Sequence, residues 1–176
     1  MGYLDEVGEL ARELAGIGLQ PVLVGGMALV ILGSRRVTRD FDFVIPPPGS
    51  RLASLLGVLY ERGLELVSRL SPDGDVLSTI ASREVAAARL KIDAPSSAHF
   101  VSPDTGLRVD LLFDYPLPAG DLARDAMRLK VRSHVLLVAS ERDLLRLKKI
   151  ARARRSSPGD AEDVAFLHAR RKRSGR

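Results

Sequence analysis

The chain has 176 residues, 45% hydrophobic and 28% charged, with no Cys, no Trp and only 5% aromatics. That length suits one domain with a small appendage and a core built mainly of Leu, Val, Ile and Ala. The absence of Cys excludes disulfide scaffolds, thiolate zinc sites and cysteine nucleophiles. No apolar run approaches the ~18 residues of a membrane span, and no basic, then apolar leader opens the chain, so a soluble cytoplasmic protein is expected. The net charge of +5 is uneven: residues from Arg146 onward carry eleven Lys/Arg against three Asp/Glu, leaving −3 for the preceding 145. Such a basic region reads either as a polyanion contact or as a solvated helix face with a frayed tail.

Residues 3–17 place Leu4, Val7, Leu10, Leu14 and Ile17 at helical spacing, with Gly18 as the stop. Residues 21–24 (PVLV) form a short strand, Gly25-Gly26 a turn, and 27–32 one or two helical turns closing at Gly33. Asp40 to Ile45 alternates acidic and apolar residues, which is strand periodicity, and Pro46-Pro47-Pro48-Gly49 ends it. Ser50 to Arg62 reads as a helix with Ser50 as N-cap. Leu64 to Leu70 reads as a strand closed by the turn Pro72-Asp73-Gly74-Asp75. Residues 76–81 suit either state, 82–91 is helix-prone, and 94–98 is loop. HFVS and LRVDLLFDY flank Pro103-Asp104-Thr105-Gly106 as a hairpin. A helical patch over 120–128 precedes a strand from His134 to Ala139. Ser140 and Asp143 form a capping box for the next helix, and Ser157-Pro158 opens another over 159–171. Its acidic residues, Asp160 and Asp163, read first as N-terminal charges, with a contact to Lys148 or to the acceptor as the second reading.

Chemistry concentrates in three carboxylates. On a strand, residues i and i+2 share a face about 6.6–6.8 Å apart, so Asp40 and Asp42 point one way while Phe41 and Phe43 are buried the other. In 107–113, Arg108, Asp110 and Leu112 share a face. If that strand lies beside 40–45, Asp110 joins the pair, with Asp114 as a rival third carboxylate. Side-by-side carboxylates repel unless a cation sits between them or one is protonated. Hard oxygen donors suit Mg²⁺ or Mn²⁺ rather than zinc. Gly25-Gly26, between strand and helix, allows close backbone approach to a phosphate, and Arg36, Thr38 and Arg39 stand just before the carboxylates. His99, His134 and His168 show no pairing at metal-ligand spacing.

Gly25-Gly26, Arg36-x-Thr38-x-Asp40-x-Asp42 and a later strand Asp110 together resemble the nucleotidyltransferase superfamily that shares the DNA polymerase β-like palm. The resemblance is nearer to small bacterial minimal nucleotidyltransferases and the type IV abortive-infection toxin group. It extends to Asp143-Leu-Leu-Arg-Leu-Lys148 and Asp160-Ala-Glu-Asp163, and covers most of residues 20–168. It implies an α+β fold in which a mixed-sheet palm over residues 1–139 is flanked by helices. A C-terminal helical pair over 140–170 would pack on it, and a basic tail over 171–176 would follow. It implies Asp40, Asp42 and Asp110 as catalytic metal ligands holding two Mg²⁺ or Mn²⁺ ions. Gly25, Gly26, Arg36, Thr38, Arg39 and Lys148 would bind the phosphates of a nucleoside triphosphate. The implied reaction moves a nucleoside monophosphate to a hydroxyl and releases pyrophosphate. RNA (perhaps tRNA, through Arg146–Arg176), a protein or a small molecule are the open acceptors. The alternative is a non-catalytic palm that binds RNA or a partner in a toxin–antitoxin-like system. Two departures stand out: the family often has Ser where this chain has Gly26, and 67 residues separate Asp42 from Asp110.

Overall fold

The computed structural model describes residues 2–155 and 157–175. In chain order the elements are α1 (Tyr3–Gly16), β1 (Val22–Val24), α2 (Gly25–Ile31), β2 (Asp40–Ile45) and α3 (Leu52–Glu61). There follow β3 (Glu65–Leu70), β4 (Val76–Ile80), α4 (Arg83–Asp93), β5 (Ser97–Val101), β6 (Arg108–Phe113) and α5 (Ala119–Arg124). The chain closes with β7 (Met127–Val131), β8 (His134–Val138), α6 (Glu141–Arg154) and α7 (Pro158–Ser174). The eight strands make one open sheet in the order β4-β3-β5-β6-β2-β1-β8-β7. Pairing is parallel for β2–β6 and β1–β8 and antiparallel elsewhere, so the sheet is mixed and the fold α+β, as expected.

Alternation sets the faces of the central strands. Phe41 and Phe43 of β2 and Val109 and Leu111 of β6 are fully buried, while Asp40, Asp42, Arg108 and Asp110 between them lie on the other face, partly exposed. α1 packs on β8 and α3, α3 packs on α4, and α2 packs on β1 and β2. α6 rests on α2 and carries α7. Ser140 caps α6: its Oγ accepts from the Asp143 amide at 3.1 Å and donates to Asp143 Oδ2 at 3.0 Å. Ser82 caps α4 in the same way, accepting from the Val85 amide at 3.2 Å. Among the described residues no helix is long and apolar enough to cross a membrane.

Several expectations change. Ser50 caps nothing: residues Gly49–Arg51 form a 3₁₀ turn, closed by the Arg51 amide on the Pro48 carbonyl at 2.9 Å, and α3 starts only at Leu52. The stretch 94–98 is loop only to Ser96, because Ser97 and Ala98 pair with Leu112 and Leu111. Residues 76–80 are strand. The helical patch ends at Arg124, and Met127–Val131 is a strand whose Arg128 and Lys130 face solvent and whose partner is β8. Helix α7 continues to Ser174, so most of the expected basic tail is helical. Arg170 is anchored there by Glu141 and donates to the Leu32 carbonyl at 2.9 Å. Arg176, the last residue of that tail, lies outside the described residues.

Gly8 lies where α1 crosses β8, and a Cβ there would overlap the Cβ and ring of His134. Gly8→Ala should therefore cost about 1–3 kcal/mol through overpacking, although alanine is the better helix former by about 1 kcal/mol. Adding His134→Ala should recover most of that loss in a double-mutant cycle followed by chemical denaturation. A stabilising Gly8→Ala, or a His134→Ala background that leaves its effect unchanged, would contradict the contact.

Candidate active site

The site is built by register. β2 and β6 run parallel with Asp40 beside Arg108 and Asp42 beside Asp110, so three carboxylates share one face of two neighbouring strands. On the other side of β2, Val24 of β1 pairs with Asp42, which brings the turn that follows β1 against the same carboxylate. Gly25 takes φ +69°, a left-handed conformation that costs glycine nothing. A Cβ at Gly25 would collide with the Asp42 carboxyl group, so both the turn and its approach to Asp42 require glycine. A Cβ at Gly26 would sit 2.9 Å from Arg36 Nε and 3.2 Å from Thr38 Oγ1. The absent side chain thus leaves room for the two polar residues that precede β2.

The electrostatics are those of uncompensated like charges. Asp42 has its pKa raised to about 7, first by desolvation, then by the negative charges of Asp110 and Asp40. Asp40 is raised by burial and then by Asp110, with Arg108 and His99 opposing. Neither Asp40 nor Asp42 has a hydrogen-bonding or ion-pairing side chain among the described residues. Asp110 does: His99, directly opposite it on β5, places Nδ1 2.9 Å from Asp110 Oδ1. That hydrogen bond is the main reason the imidazole pKa is raised, with desolvation opposing it. The donor set fits a hard divalent cation, since it consists of carboxylate oxygens whose charge the protein does not neutralise. The ligands are not drawn together around one point, because no group of three Asp, Glu or His among the described residues encloses an ion-sized space.

Lys148 enters from α6 with its ammonium 2.6 Å from Asp163 Oδ2 and 3.3 Å from Asp160 Oδ1. Arg36 pairs with the same Asp163 oxygen. Asp160 and Asp163 are both buried, and Asp160 Oδ2 has no partner among the described residues. The reading of these two acids as helix-terminal charges is thereby corrected. Asp160 does lie in the first turn of α7, but both carboxylates hold the cations that adjoin the glycine turn. Arg39 is exposed and unpaired among the described residues. Asp114, the rival third carboxylate, leaves the sheet at φ +49° and accepts the Ala119 amide at 2.8 Å, so it shapes the start of α5 instead.

Two larger clefts flank the carboxylates, and a third of about 130 Å³ is lined by Asp40, His99, Arg108 and Asp110. One, of about 430 Å³, is lined by Gly25, Asp42, Leu144, Lys148, Tyr115 and Arg154. The Arg154 guanidinium stands 5.1 Å from the centre of the Tyr115 ring. The other, of about 870 Å³, begins at Asp40 and includes Thr38, Arg39, Arg108 and strand β4. Sequence reasoning missed His99, Tyr115 and Arg154. Counting back from the 103–106 loop would have placed His99 opposite Asp110, whereas nothing local marks the other two.

No family model and no curated protein sequence matches this chain. Solved structures do. The chain is similar to an antigenic nucleotidyltransferase-like protein from Paracoccidioides brasiliensis, at 17% identity and TM-score 0.57, over 94% of this chain and 74% of that one. It is also similar to the antibiotic-resistance factor ANT(2'')-Ia in solution, at 11% identity and TM-score 0.56, over 93% of this chain and 81% of that one. The crystal structure of ANT(2'')-Ia with adenylyl-2''-tobramycin matches at 12% identity and TM-score 0.54, over 93% and 86%. This chain shares the fold of these nucleotidyltransferase and nucleotidyltransferase-like structures.

The raised pKa of Asp42 makes stability depend on pH. Between about pH 4 and about pH 7 the folded state keeps a proton that the unfolded carboxyl has lost, so stability falls as pH rises through that window. Asp42→Asn removes the effect. The variant should gain on wild type from pH 4 to pH 8 by on the order of 4 kcal/mol in metal-free buffer. Parallel stability profiles of the two proteins would contradict an uncompensated Asp42.

Proposed function

We propose that this protein is a metal-dependent nucleotidyltransferase that moves a nucleoside monophosphate from a nucleoside triphosphate to a hydroxyl group. The observation that carries the proposal is the β2–β6 register, which sets Asp42 beside Asp110 and directly against the glycine turn. A structural scaffold gains nothing from three carboxylates on one face, and the buried Asp42 makes the fold less stable near neutral pH. Nucleotidyltransferase-like neighbours of the same fold support the general kind of reaction.

The nucleotide fits the 430 Å³ cleft, where Leu144 and the paired Tyr115 and Arg154 offer an apolar, stacking wall. Its triphosphate lies toward Gly25, Gly26, Arg36 and Lys148. Asp40 and Asp42, joined by Asp110, would hold two Mg²⁺ or Mn²⁺ ions, which supply charge neutralisation at the reacting phosphate. Arg36 and Lys148 add fixed positive charge, and Asp163 holds both in place. The acceptor oxygen attacks the α-phosphorus in line, its proton passes to Asp110, and the bond to the β-phosphate breaks as pyrophosphate leaves with the electron pair. His99 holds Asp110 through Nδ1 and fixes which carboxylate oxygen faces the acceptor.

Binding and chemistry can be tested apart. A nucleoside triphosphate with Mn²⁺ at ~100 times its Kd should stabilise the wild type by about 2.7 kcal/mol. The Asp40→Asn/Asp42→Asn variant should lose that gain while keeping its fold by circular dichroism. With an α-labelled triphosphate and cell extract, the wild type should release pyrophosphate and transfer label, and the variant should do neither. Equal activity in the two proteins would overturn the assignment.

A further inference from the structure

The larger cleft carries information about the acceptor. Successive residues of a strand point to opposite faces, so a groove lying on one face of β4 would touch every second residue. This groove is lined by Asp75, Val76, Leu77, Ser78 and Thr79 without a gap. It therefore runs along the edge of β4, where the backbone amides and carbonyls project. β4 is the outermost strand of the sheet and pairs only with β3, so that edge is free. Two register irregularities bend β3 and β4, and Arg108 donates to the Gly74 carbonyl at 3.2 Å, which brings the tip of the hairpin over the carboxylate face.

The opposite wall has the same character. Residues 37–40 line it consecutively, and among the described residues 35–39 make no backbone–backbone hydrogen bond. Two unpaired stretches of backbone face one trough that ends at Asp40. Its ionisable lining is two cations, Arg39 and Arg108, against two carboxylates, Asp40 and Asp75. A polyanion requires an excess of cations, and a polycation the reverse; the trough provides neither. Lys149, Arg152, Arg154, Arg155, Arg171, Lys172 and Arg173, exposed cations of the C-terminal region, take no part in lining it. Arg146, Lys148 and Arg170 of that region are occupied in ion pairs.

We infer that the acceptor is a hydroxyl side chain on an extended polypeptide segment that adds as a strand to the free edge of β4. The inference rests on the nucleotidyltransfer reading above and specifies its acceptor. Backbone hydrogen bonds hold the segment, alternate side chains point into the trough, and the Ser, Thr or Tyr at its end reaches Asp40, which also lines a smaller cleft of about 130 Å³ that holds Asp110. Its hydroxyl loses a proton to Asp110 and forms the ester bond to the α-phosphorus, and pyrophosphate departs.

The test uses the full chain, Mn²⁺ and an α-labelled nucleoside triphosphate, with two acceptors in parallel. One is a degenerate library of synthetic peptides with a single Ser, Thr or Tyr each, and the other is total cellular RNA. The labelled peptides are identified and resynthesised with alternate backbone amides N-methylated in each of the two phases. Label should appear on peptide and be lost with Asp40→Asn. One methylation phase should reduce it about tenfold by removing ladder bonds, and the other should leave it unchanged. Equal tolerance of both phases would overturn strand pairing. Label on RNA alone would overturn the peptide acceptor while leaving nucleotidyltransfer standing. Absence of label on either would overturn the peptide acceptor, and if the nucleoside triphosphate with Mn²⁺ also fails to stabilise the protein, nucleotidyltransfer is overturned with it.

Discussion

Repulsion between Asp42 and Asp110 is the constraint around which the rest of the molecule is arranged. Parallel pairing of β2 with β6 fixes the two carboxylates as register partners, and Asp40 adds a third two residues away. Burial first, and then the charges of Asp110 and Asp40, raise Asp42 from the ordinary carboxylate range to about 7, which corresponds to on the order of 4 kcal/mol between its two protonation states. The opposite faces of the same strands offset this. Phe41, Phe43, Val109 and Leu111 are each essentially inaccessible to solvent, and burial of each such side chain contributes about 1.5–3 kcal/mol. Alternation thus lets one pair of strands serve as a hydrophobic core on one side and a concentrated negative charge on the other. Slipping the register by one residue would exchange the two faces, so the core itself holds the carboxylates in place.

Positive charge is handled differently. Lys148 and Arg36 meet at Asp163, on a helix 127 residues beyond Arg36 in sequence. Two cations and the two buried acids, Asp160 and Asp163, leave that cluster neutral. The carboxylates of β2 and β6 have no such balance beyond His99 and Arg108. On the proposed reading, a divalent cation or a magnesium-bound triphosphate would find its unneutralised partner at Asp40 and Asp42, while the cationic side of the site is already stabilised. α7 belongs to the site for this reason, although none of its residues lies on the carboxylate face.

Much of this was legible in the sequence, and the boundary is physical. The alternation of Asp40–Ile45 gave both faces of β2, and the glycine pair after a short apolar run gave the turn. Local capping logic found the start of α6 correctly. The same logic misassigned Asp160 and Asp163, because their partners come from remote elements and local position cannot distinguish a helix-terminal charge from a buried ion pair. The helical reading of 120–128 overruns the first two residues of β7, since the residues before it are helix-prone and the alternation of Met127–Val131 is short. His99 was set aside as an isolated imidazole, although hairpin geometry alone would have placed it against Asp110. Tyr115 and Arg154 had no signal, since their contact depends on how α6 lies across the sheet.

The two clefts follow from where the strands end. Asp42 is one pair further into the sheet than Asp40, beside β1 and the glycine turn, so it opens toward α6 and Lys148. Asp40 begins β2 and opens toward the loops and the curled β3–β4 hairpin. An in-line displacement needs the attacking and leaving oxygens on opposite sides of the phosphorus. A carboxylate face bordered by a small cleft with fixed cations and by a wider trough with free backbone edges supplies those two directions. The trough is wider and nearly neutral, and it is bounded by polypeptide edges rather than by a closed pocket. Such a boundary selects for shape and backbone pairing more than for charge, which is why the acceptor is better sought among extended chains than among polyelectrolytes.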